Sequence, residues 1–137
     1  MLKVQVPDIN ICELRECVVS SDLVIISVPI DSFEPVVREL SKHIREGHLV
    51  IDVCSIKRLP VYIMHRYLKC SKLGAHPLFG PSIKSLRGKA VVLTPITNDE
   101  LDLSLEVIRW LEGRGAYGIV MSPAEHDELM RLSIGVP

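Results

Sequence analysis

Short apolar runs alternate along this chain with longer segments of helix-like periodicity. Five runs have the length of buried strands, at residues 23–28, 49–53, 72–75, 90–94 and 117–121. The run at 23–28 is apolar throughout, so we expect both of its faces to be covered. A shorter segment at residues 2–6 alternates apolar and polar positions, which predicts a half-exposed strand.

Between these runs, apolar residues recur every three or four positions and predict five helices. The helices span about residues 8–20, 31–45, 59–68 and 98–112, with a last one after Ser122. We expect Asp8 or Asn10 to cap the first helix and Gly47 to close the second. The alternation of strands and helices predicts an α/β fold with a mostly parallel sheet flanked by helices.

Composition narrows the function classes. The chain has 137 residues, 47% of them hydrophobic and 24% charged, which is typical of one globular domain with a core. A net charge of −1 without a basic stripe argues against nucleic acid or membrane partners. Lys3 and Asp8 interrupt any apolar leader. The four cysteines match no zinc pattern, so we expect no metal site, reduced thiols and a cytoplasmic location.

The run Gly74-Ala75-His76-Pro77-Leu78-Phe79-Gly80-Pro81-Ser82 is the least generic stretch of the chain. It predicts a histidine at a strand end, followed by a loop that two prolines stiffen. Histidine suits proton transfer near neutral pH, although a structural histidine in a tight turn is an equally simple interpretation. If the strands at 23–28, 49–53 and 72–75 are parallel, their polar carboxyl ends meet at one edge of the sheet.

The runs DLVIISVP (22–29), VIDVCSIK (50–57) and GAHPLFGPS (74–82), with Ser122-Pro123-Ala124-Glu125-His126-Asp127, resemble prephenate and arogenate dehydrogenases of the archaeal type. The resemblance extends from about residue 4 to 137. It implies NAD(P)-dependent oxidative decarboxylation of prephenate or arogenate in tyrosine biosynthesis, and a partial Rossmann-like fold.

The resemblance also implies roles for individual residues. His76 takes the proton of the substrate hydroxyl, and Ser55 hydrogen-bonds in the same region, where it could orient His76 or the substrate. The nicotinamide ribose packs near Ser55 and the turn Ser27-Val28-Pro29. The substrate pocket is formed by Lys57, Phe79, Gly80, Pro81 and Ser82.

Three charged or titratable positions near these runs keep simpler interpretations. A solvated lysine at a helix start is favoured for Lys57 over a pocket role, by the usual exposure of lysine. Asp52 is expected to pack or cap at a strand end without a catalytic role. His126 and Asp127 match a family run, yet could serve only to attach the final helix to a further domain.

The sequence contains no G-x-G-x-x-G turn, which normally cradles the pyrophosphate of a dinucleotide. Residues 1–137 are therefore expected to form a single partial dinucleotide-binding domain that lacks the first strand, Gly-rich turn and helix, and that stops about where the family's helical domain begins. The strand at 23–28 would then have an open edge, which predicts pairing with residues 2–6, a homodimer or a companion chain.

Three other functions remain open on these grounds. The chain could be a non-catalytic binding domain or one half of a split dehydrogenase. It could also be another hydroxy-acid enzyme of the 6-phosphogluconate dehydrogenase-like group. The His-Pro-Leu-Phe-Gly-Pro run disfavours the last, because such enzymes rely on a lysine in a later helix.

Overall fold

The computed structural model describes residues 8–134, in which five strands form one sheet with helices on both faces. The strands are β1 (Leu23–Ile26), β2 (Leu49–Asp52), β3 (Ser71–Pro77), β4 (Ala90–Leu93) and β5 (Tyr117–Val120). They lie side by side in chain order. β1, β2 and β3 are parallel, β4 is antiparallel to β3, and β5 is parallel to β4. The predicted α/β fold with a mostly parallel sheet is confirmed.

The five predicted helices are present, with some different ends. They are α1 (Leu14–Val19), α2 (Ile30–Ser41), α3 (Arg58–Tyr67), α4 (Asn98–Glu112) and α5 (Pro123–Ile134). α1 begins after Glu13, so neither Asp8 nor Asn10 caps it. α2 ends at Ser41, so Gly47 does not close it. Within the described residues, no helix combines the length and apolar character needed to cross a membrane.

Each face of the sheet has its own apolar core. On one face, α2 and α3 bury the residues Phe33, Val37, Leu40, Val50 and Met64. On the other, α4 packs over the neighbouring strands and buries the residues Leu73, Ala75, Leu93, Leu111 and Ala116. Because successive strand residues point to opposite faces, the even-numbered positions of β3 lie on the α3 side.

The expectation that both faces of β1 are covered is wrong for the described residues. Ile26 is 3% exposed, but Leu23 and Ile25 on the other face are 48% and 56% exposed. The physical reason is that α4 packs mainly against β3 and β5, whereas β1 lies on the far side of β2 from these strands. β1 is also the edge strand of the described sheet. The strand predicted at residues 2–6 lies outside the described residues.

The cysteines differ partly from expectation. Cys12 and Cys17 form a disulfide at the start of α1, with their Cα atoms 5.7 Å apart, so the prediction of reduced thiols is wrong for this pair. The separation lies within the range that disulfide geometry requires. Cys54 and Cys70 are free. Burial, together with the neighbouring Asp52 carboxylate, raises the pKa of Cys54 to about 11, so this residue is a neutral thiol at pH 7.

Candidate active site

His76 lies within β3, not in the loop after it. The strand runs to Pro77 because β4 pairs with its last residues, and His76 is directly opposite Val92. A position inside a paired strand fixes the backbone of His76 more firmly than the predicted loop would. Its side chain is half-buried on the α3 face of the sheet, at the end where the parallel strands finish.

The imidazole of His76 is hydrogen-bonded to a second histidine, which contacts a carboxylate. His76 Nδ1 and His126 Nε2 lie 2.8 Å apart. His126 Nδ1 is 2.8 Å from Asp127 Oδ1, and the His126 side chain is fully buried. The three side chains therefore form a continuous chain of hydrogen bonds, which we call the His–His–Asp relay (His76, His126 and Asp127).

The carboxylate at one end of the relay determines where the protons lie on both neutral rings. An ionised carboxylate can only accept a hydrogen bond, so His126 Nδ1 carries a proton and donates it to Asp127. His126 Nε2 is then an acceptor, which places a proton on Nδ1 of His76. The outer nitrogen of His76, Nε2, is left with a free lone pair. That is the form a general base needs.

Local sequence explains how α5 presents the relay. Ser122 caps the helix as predicted: its Oγ accepts from Glu125 N at 3.0 Å, while Glu125 Oε1 accepts from Ser122 N at 3.2 Å. This reciprocal pair is a capping box, and it fixes the start of the helix. His126 and Asp127 are the fourth and fifth residues of the helix.

Asp127 also joins α5 to the beginning of α3. Its Oδ1 accepts from Lys57 N at 2.7 Å and its Oδ2 from Arg58 N at 3.0 Å. α3 has no side-chain cap of its own at this end, so a residue 70 positions later in the chain supplies one. Burial alone would raise the pKa of Asp127, but hydrogen bonds from His126 and the two backbone N–H groups hold that pKa below its ordinary value.

Lys57 and Asp52 form a fully buried ion pair beside the relay. Lys57 Nζ donates to Asp52 Oδ1 and, at 2.6 Å, to the carbonyl oxygen of Ala75. The favoured interpretation of Lys57 as a solvated helix-start residue is therefore wrong, since its side chain is 0% exposed. Burial raises the pKa of Asp52 and lowers that of Lys57, while the attraction between them opposes both shifts.

The surroundings of His76 favour its neutral form. Burial lowers the pKa of its ring, and His126 and the Lys57 ammonium lower it further. The Asp127 carboxylate acts in the opposite direction, but the net pKa is below the ordinary value. At pH 7 the ring is therefore uncharged and able to accept a proton.

Comparison with known proteins identifies the family. Residues 2–120 match the family described as "Prephenate dehydrogenase, nucleotide-binding domain". This chain belongs to that family. Over 124 residues it is 36% identical to the probable arogenate/prephenate dehydrogenase of Methanocaldococcus jannaschii. The matched region covers 88% of this chain and 28% of that protein.

Solved structures agree with the family assignment. The crystal structure of prephenate dehydrogenase from Aquifex aeolicus matches with a TM-score of 0.74 and 29% identity, covering 88% of this chain and 47% of that one. A second A. aeolicus structure, in complex with hydroxyphenyl propionate and NAD+, matches with a TM-score of 0.71 and 29% identity, covering 86% and 44%. The chain thus spans less than half the length of these relatives.

The other residues that the family resemblance singled out lie near the same edge of the sheet. Ser27 and Pro29 are exposed after β1, with Val28 half-buried between them, and Ser55 is exposed after β2. Within residues 8–134, His76 is hydrogen-bonded to His126 and not to Ser55, so the suggestion that Ser55 orients the ring is not supported.

The residues predicted to line a substrate pocket divide into two groups. Gly80, Pro81 and Ser82 are exposed in the loop after β3, and Phe79 is half-buried against the α4-side core. Lys57 does not belong with them, because its ammonium is directed into the protein toward Asp52 and Ala75. Lys57 therefore contacts the strands that carry the site and does not line a pocket.

The contacts of His126, Asp127 and Asp52 are not predicted from the sequence alone. His126 is hydrogen-bonded to His76, Asp127 to His126, and Asp52 to Lys57. The available signal is the family run 122–127, in which the interpretation of His126 and Asp127 is limited to attaching the final helix to a further domain. A cleft of about 650 Å³, lined by Glu46, His65 and Glu106 among others, lies at the other end of the parallel strands, where β2 and β3 begin. It contains none of the predicted site residues, so its size gives no reason to move the candidate site there.

Proposed function

We propose that this chain carries the catalytic histidine of an NAD(P)-dependent prephenate dehydrogenase, with arogenate as the alternative substrate, acting in the cytoplasm in tyrosine biosynthesis. The observation that carries the proposal is the His–His–Asp relay, which leaves a lone pair on His76 Nε2 at the edge of the sheet. Family membership supports the same conclusion. Residues 1–137 are proposed to be one partial domain, since the described strands form one sheet.

In the proposed reaction, His76 Nε2 accepts the proton of the substrate's ring hydroxyl. A bound NAD or NADP would supply the hydride acceptor for the carbon that bears this hydroxyl. The ring carboxylate then leaves as CO₂, and its bonding electrons make the ring aromatic. The proton that reaches His76 is stabilised through Nδ1, which donates to His126, whose other nitrogen donates to Asp127. A positioned base of this kind contributes about 10²- to 10⁴-fold to the rate.

The carboxyl ends of β1 and β2 fit the nicotinamide end of a dinucleotide. Ligands bind at this end of parallel strands. Ser27 and Pro29 are exposed after β1, with the half-buried Val28 between these two residues, and Ser55 is exposed after β2. Ser55 would supply a hydroxyl to the ribose or substrate. The chain has no Gly-rich turn for the pyrophosphate, so we propose that it binds NAD or NADP weakly by itself.

A partner is proposed for the uncovered side of β1. Leu23 and Ile25 expose apolar surface on that face, and the strand's outer edge is unpaired among the described residues. Such an edge favours association with another strand. A second copy of this chain or a companion chain with a Gly-rich turn would cover it, and light scattering on the purified 15.3-kDa chain distinguishes a monomer from a dimer.

The activity test is turnover of prephenate and of arogenate with NAD or NADP, followed by the absorbance of the reduced cofactor. His76→Asn should lower kcat by about 10²-fold or more, because the general base is lost. His43→Asn is the matched control, since His43 is half-buried after α2 and contacts Glu39 rather than the relay.

Absence of turnover from the folded chain would instead favour a non-catalytic binding domain or half of a split enzyme. A companion chain that carries a Gly-rich turn should then restore turnover if the enzyme is split. If neither the chain nor the mixture oxidises prephenate or arogenate, the proposed activity is wrong.

A further inference from the structure

Lys57 contacts the His–His–Asp relay at two separate points. Its backbone N–H donates to Asp127 Oδ1 at 2.7 Å, at the far end of the relay. Its side-chain Nζ donates to the carbonyl oxygen of Ala75 at 2.6 Å, one peptide unit before His76. The contacts therefore form a closed ring, from Lys57 N through Asp127, His126, His76 and Ala75 back to Lys57 Nζ.

We propose that Lys57, paired with Asp52, is a positioning residue that fixes the His76 ring and keeps its outer nitrogen free of a proton. Lys57 touches neither substrate nor cofactor in this role, because its side chain is 0% exposed. The inference rests on the proposed function of His76 as a base, and it adds the group that maintains that base in its working form.

The closed ring restrains His76 from both sides. The ammonium fixes the Ala75 carbonyl and with it the backbone that precedes His76. The backbone N–H of Lys57 fixes Asp127, which sets the proton positions on His126 and hence on His76. One residue thus holds both the main chain and the side chain of the base, which is the support that a preorganised site requires.

Stability alone is a weak explanation for this ion pair. Burying two charges is expensive, and replacing a buried pair with neutral residues of similar volume is often neutral or stabilising. Asp52 Oδ2 also has no hydrogen-bond partner among the described residues, so the pair is incompletely satisfied. The Lys57 ammonium has a further effect, because its positive charge disfavours protonation of the His76 ring.

The charged and titratable groups around His76 act in different directions. From α5, Asp127 favours protonation of the ring and His126 disfavours it. From the start of α3, the Lys57 charge lowers the pKa of His76, and burial lowers it most of all. Asp52, from β2, is the ion-pair partner of Lys57 but is not among the groups that shift the pKa of His76. Removal of the ammonium should therefore raise the pKa of His76.

The test is nitrogen-15 NMR of the histidine side chains of the purified chain, titrated with pH and assigned with His76→Asn. In the wild type we expect His76 to carry its proton on Nδ1 and to titrate below about 6.5. Lys57→Met and the charge-free double variant Asp52→Asn with Lys57→Met should raise the pKa of His76 toward this value and mix its tautomers. The double variant leaves no buried unpaired charge, so we expect it to be more stable than Lys57→Met alone.

Lys72→Met is the matched control. Lys72 Nζ also donates to a backbone carbonyl, that of Cys70 at 2.9 Å, but it has no connection to the relay. This variant should leave the pKa and the tautomer of His76 unchanged. An unchanged His76 in the folded double variant would overturn the proposal. Loss of folding in the double variant would also overturn it, because the pair would then serve the fold.

Activity separates this inference from the proposed function. If the protein turns over prephenate, the acid limb of kcat/KM should shift to higher pH in the double variant by the same amount as the NMR titration. If the wild-type chain shows the expected tautomer but neither it nor its mixture with a companion chain turns over prephenate or arogenate, the proposed reaction fails while the positioning role of Lys57 stands. The same NMR change without a shift of the acid limb in an active protein would refute the link to catalysis.

Discussion

Asp127 is the residue whose replacement should reveal most about how the site is held together. Its carboxylate accepts hydrogen bonds from Lys57 N, Arg58 N and His126 Nδ1, at 2.7, 3.0 and 2.8 Å. Asp127→Asn retains one carbonyl oxygen but places an NH₂ group against one of these donors. The variant therefore loses at least one charge-assisted bond and the negative charge at the start of α3.

The structure gives an estimate of the loss. A hydrogen bond to a charged group contributes about 1.5–3 kcal/mol. A helix cap contributes about 1 kcal/mol, and this overlaps with the first figure because the same bonds are counted. Asp127 is one-quarter exposed, which reduces the effect by solvent screening. We expect Asp127→Asn to lower the free energy of unfolding by about 2 kcal/mol at pH 7.

The loss should depend on pH in a definite direction. The pKa of Asp127 is lowered in the folded state, so its stabilisation is fully present above the unfolded value of about 3.9. It disappears as the pH falls through the lower, folded value. The difference in stability between wild type and Asp127→Asn should therefore narrow as the pH falls from about 5 toward 3.

Urea unfolding followed by circular dichroism at several pH values measures this difference. Asp102→Asn is the matched control, because Asp102 is exposed on α4 and makes no side-chain hydrogen bond within residues 8–134. It should change stability by less than about 0.5 kcal/mol. A similarly small effect of Asp127→Asn at pH 7, or a difference that stays constant down to pH 3, would refute this account of α3 and α5.

Two further predictions concern packing behind the site, and urea unfolding measures both. Gly74→Ala should destabilise the fold by about 1–3 kcal/mol, because the new Cβ would lie 2.4 Å from Thr94 Oγ1 and 2.7 Å from Val61 Cγ2. Gly80→Ala meets nothing within 4 Å and should be neutral; equal effects would contradict the packing argument. Thr94→Val should be neutral or stabilising by up to about 1 kcal/mol, since Thr94 Oγ1 is buried without a partner among the described residues; a clear loss would indicate a hidden partner.

The order of strands and helices could be predicted because it depends on local patterns. The apolar runs at β1 and β2 and the amphipathic periods of α2 and α4 identify these elements without tertiary information. Ends were less predictable. β3 was expected to stop at Ala75, before two prolines in the sequence, but β4 pairs with it through Pro77. A partner strand some 15 residues later determines that end, and no local pattern records it.

The site was predictable only in its central residue. His76 stands out because a histidine between a strand and two prolines is unusual, whereas its partner His126 is 50 positions away. The burial of Lys57 could not be inferred from its place before a helix, because the cause is the carboxylate of Asp52 and a carbonyl on another strand. Long-range polar contacts of this kind leave no periodic signal in one sequence.

The parts of the candidate site differ in how far the described residues complete them. The His–His–Asp relay and the Lys57–Asp52 pair draw only on β2, β3 and the starts of α3 and α5. β3 packs against β2 and α3, and α3 packs against α5. The cofactor side depends on the end of β1, where one face is open and Leu23 and Ile25 are half exposed. Because the relay and the Lys57–Asp52 pair do not depend on the end of β1, His76 should keep a free lone pair on Nε2 even where cofactor binding is weak. A chain that shows the expected His76 tautomer but binds NAD poorly would follow directly from this division.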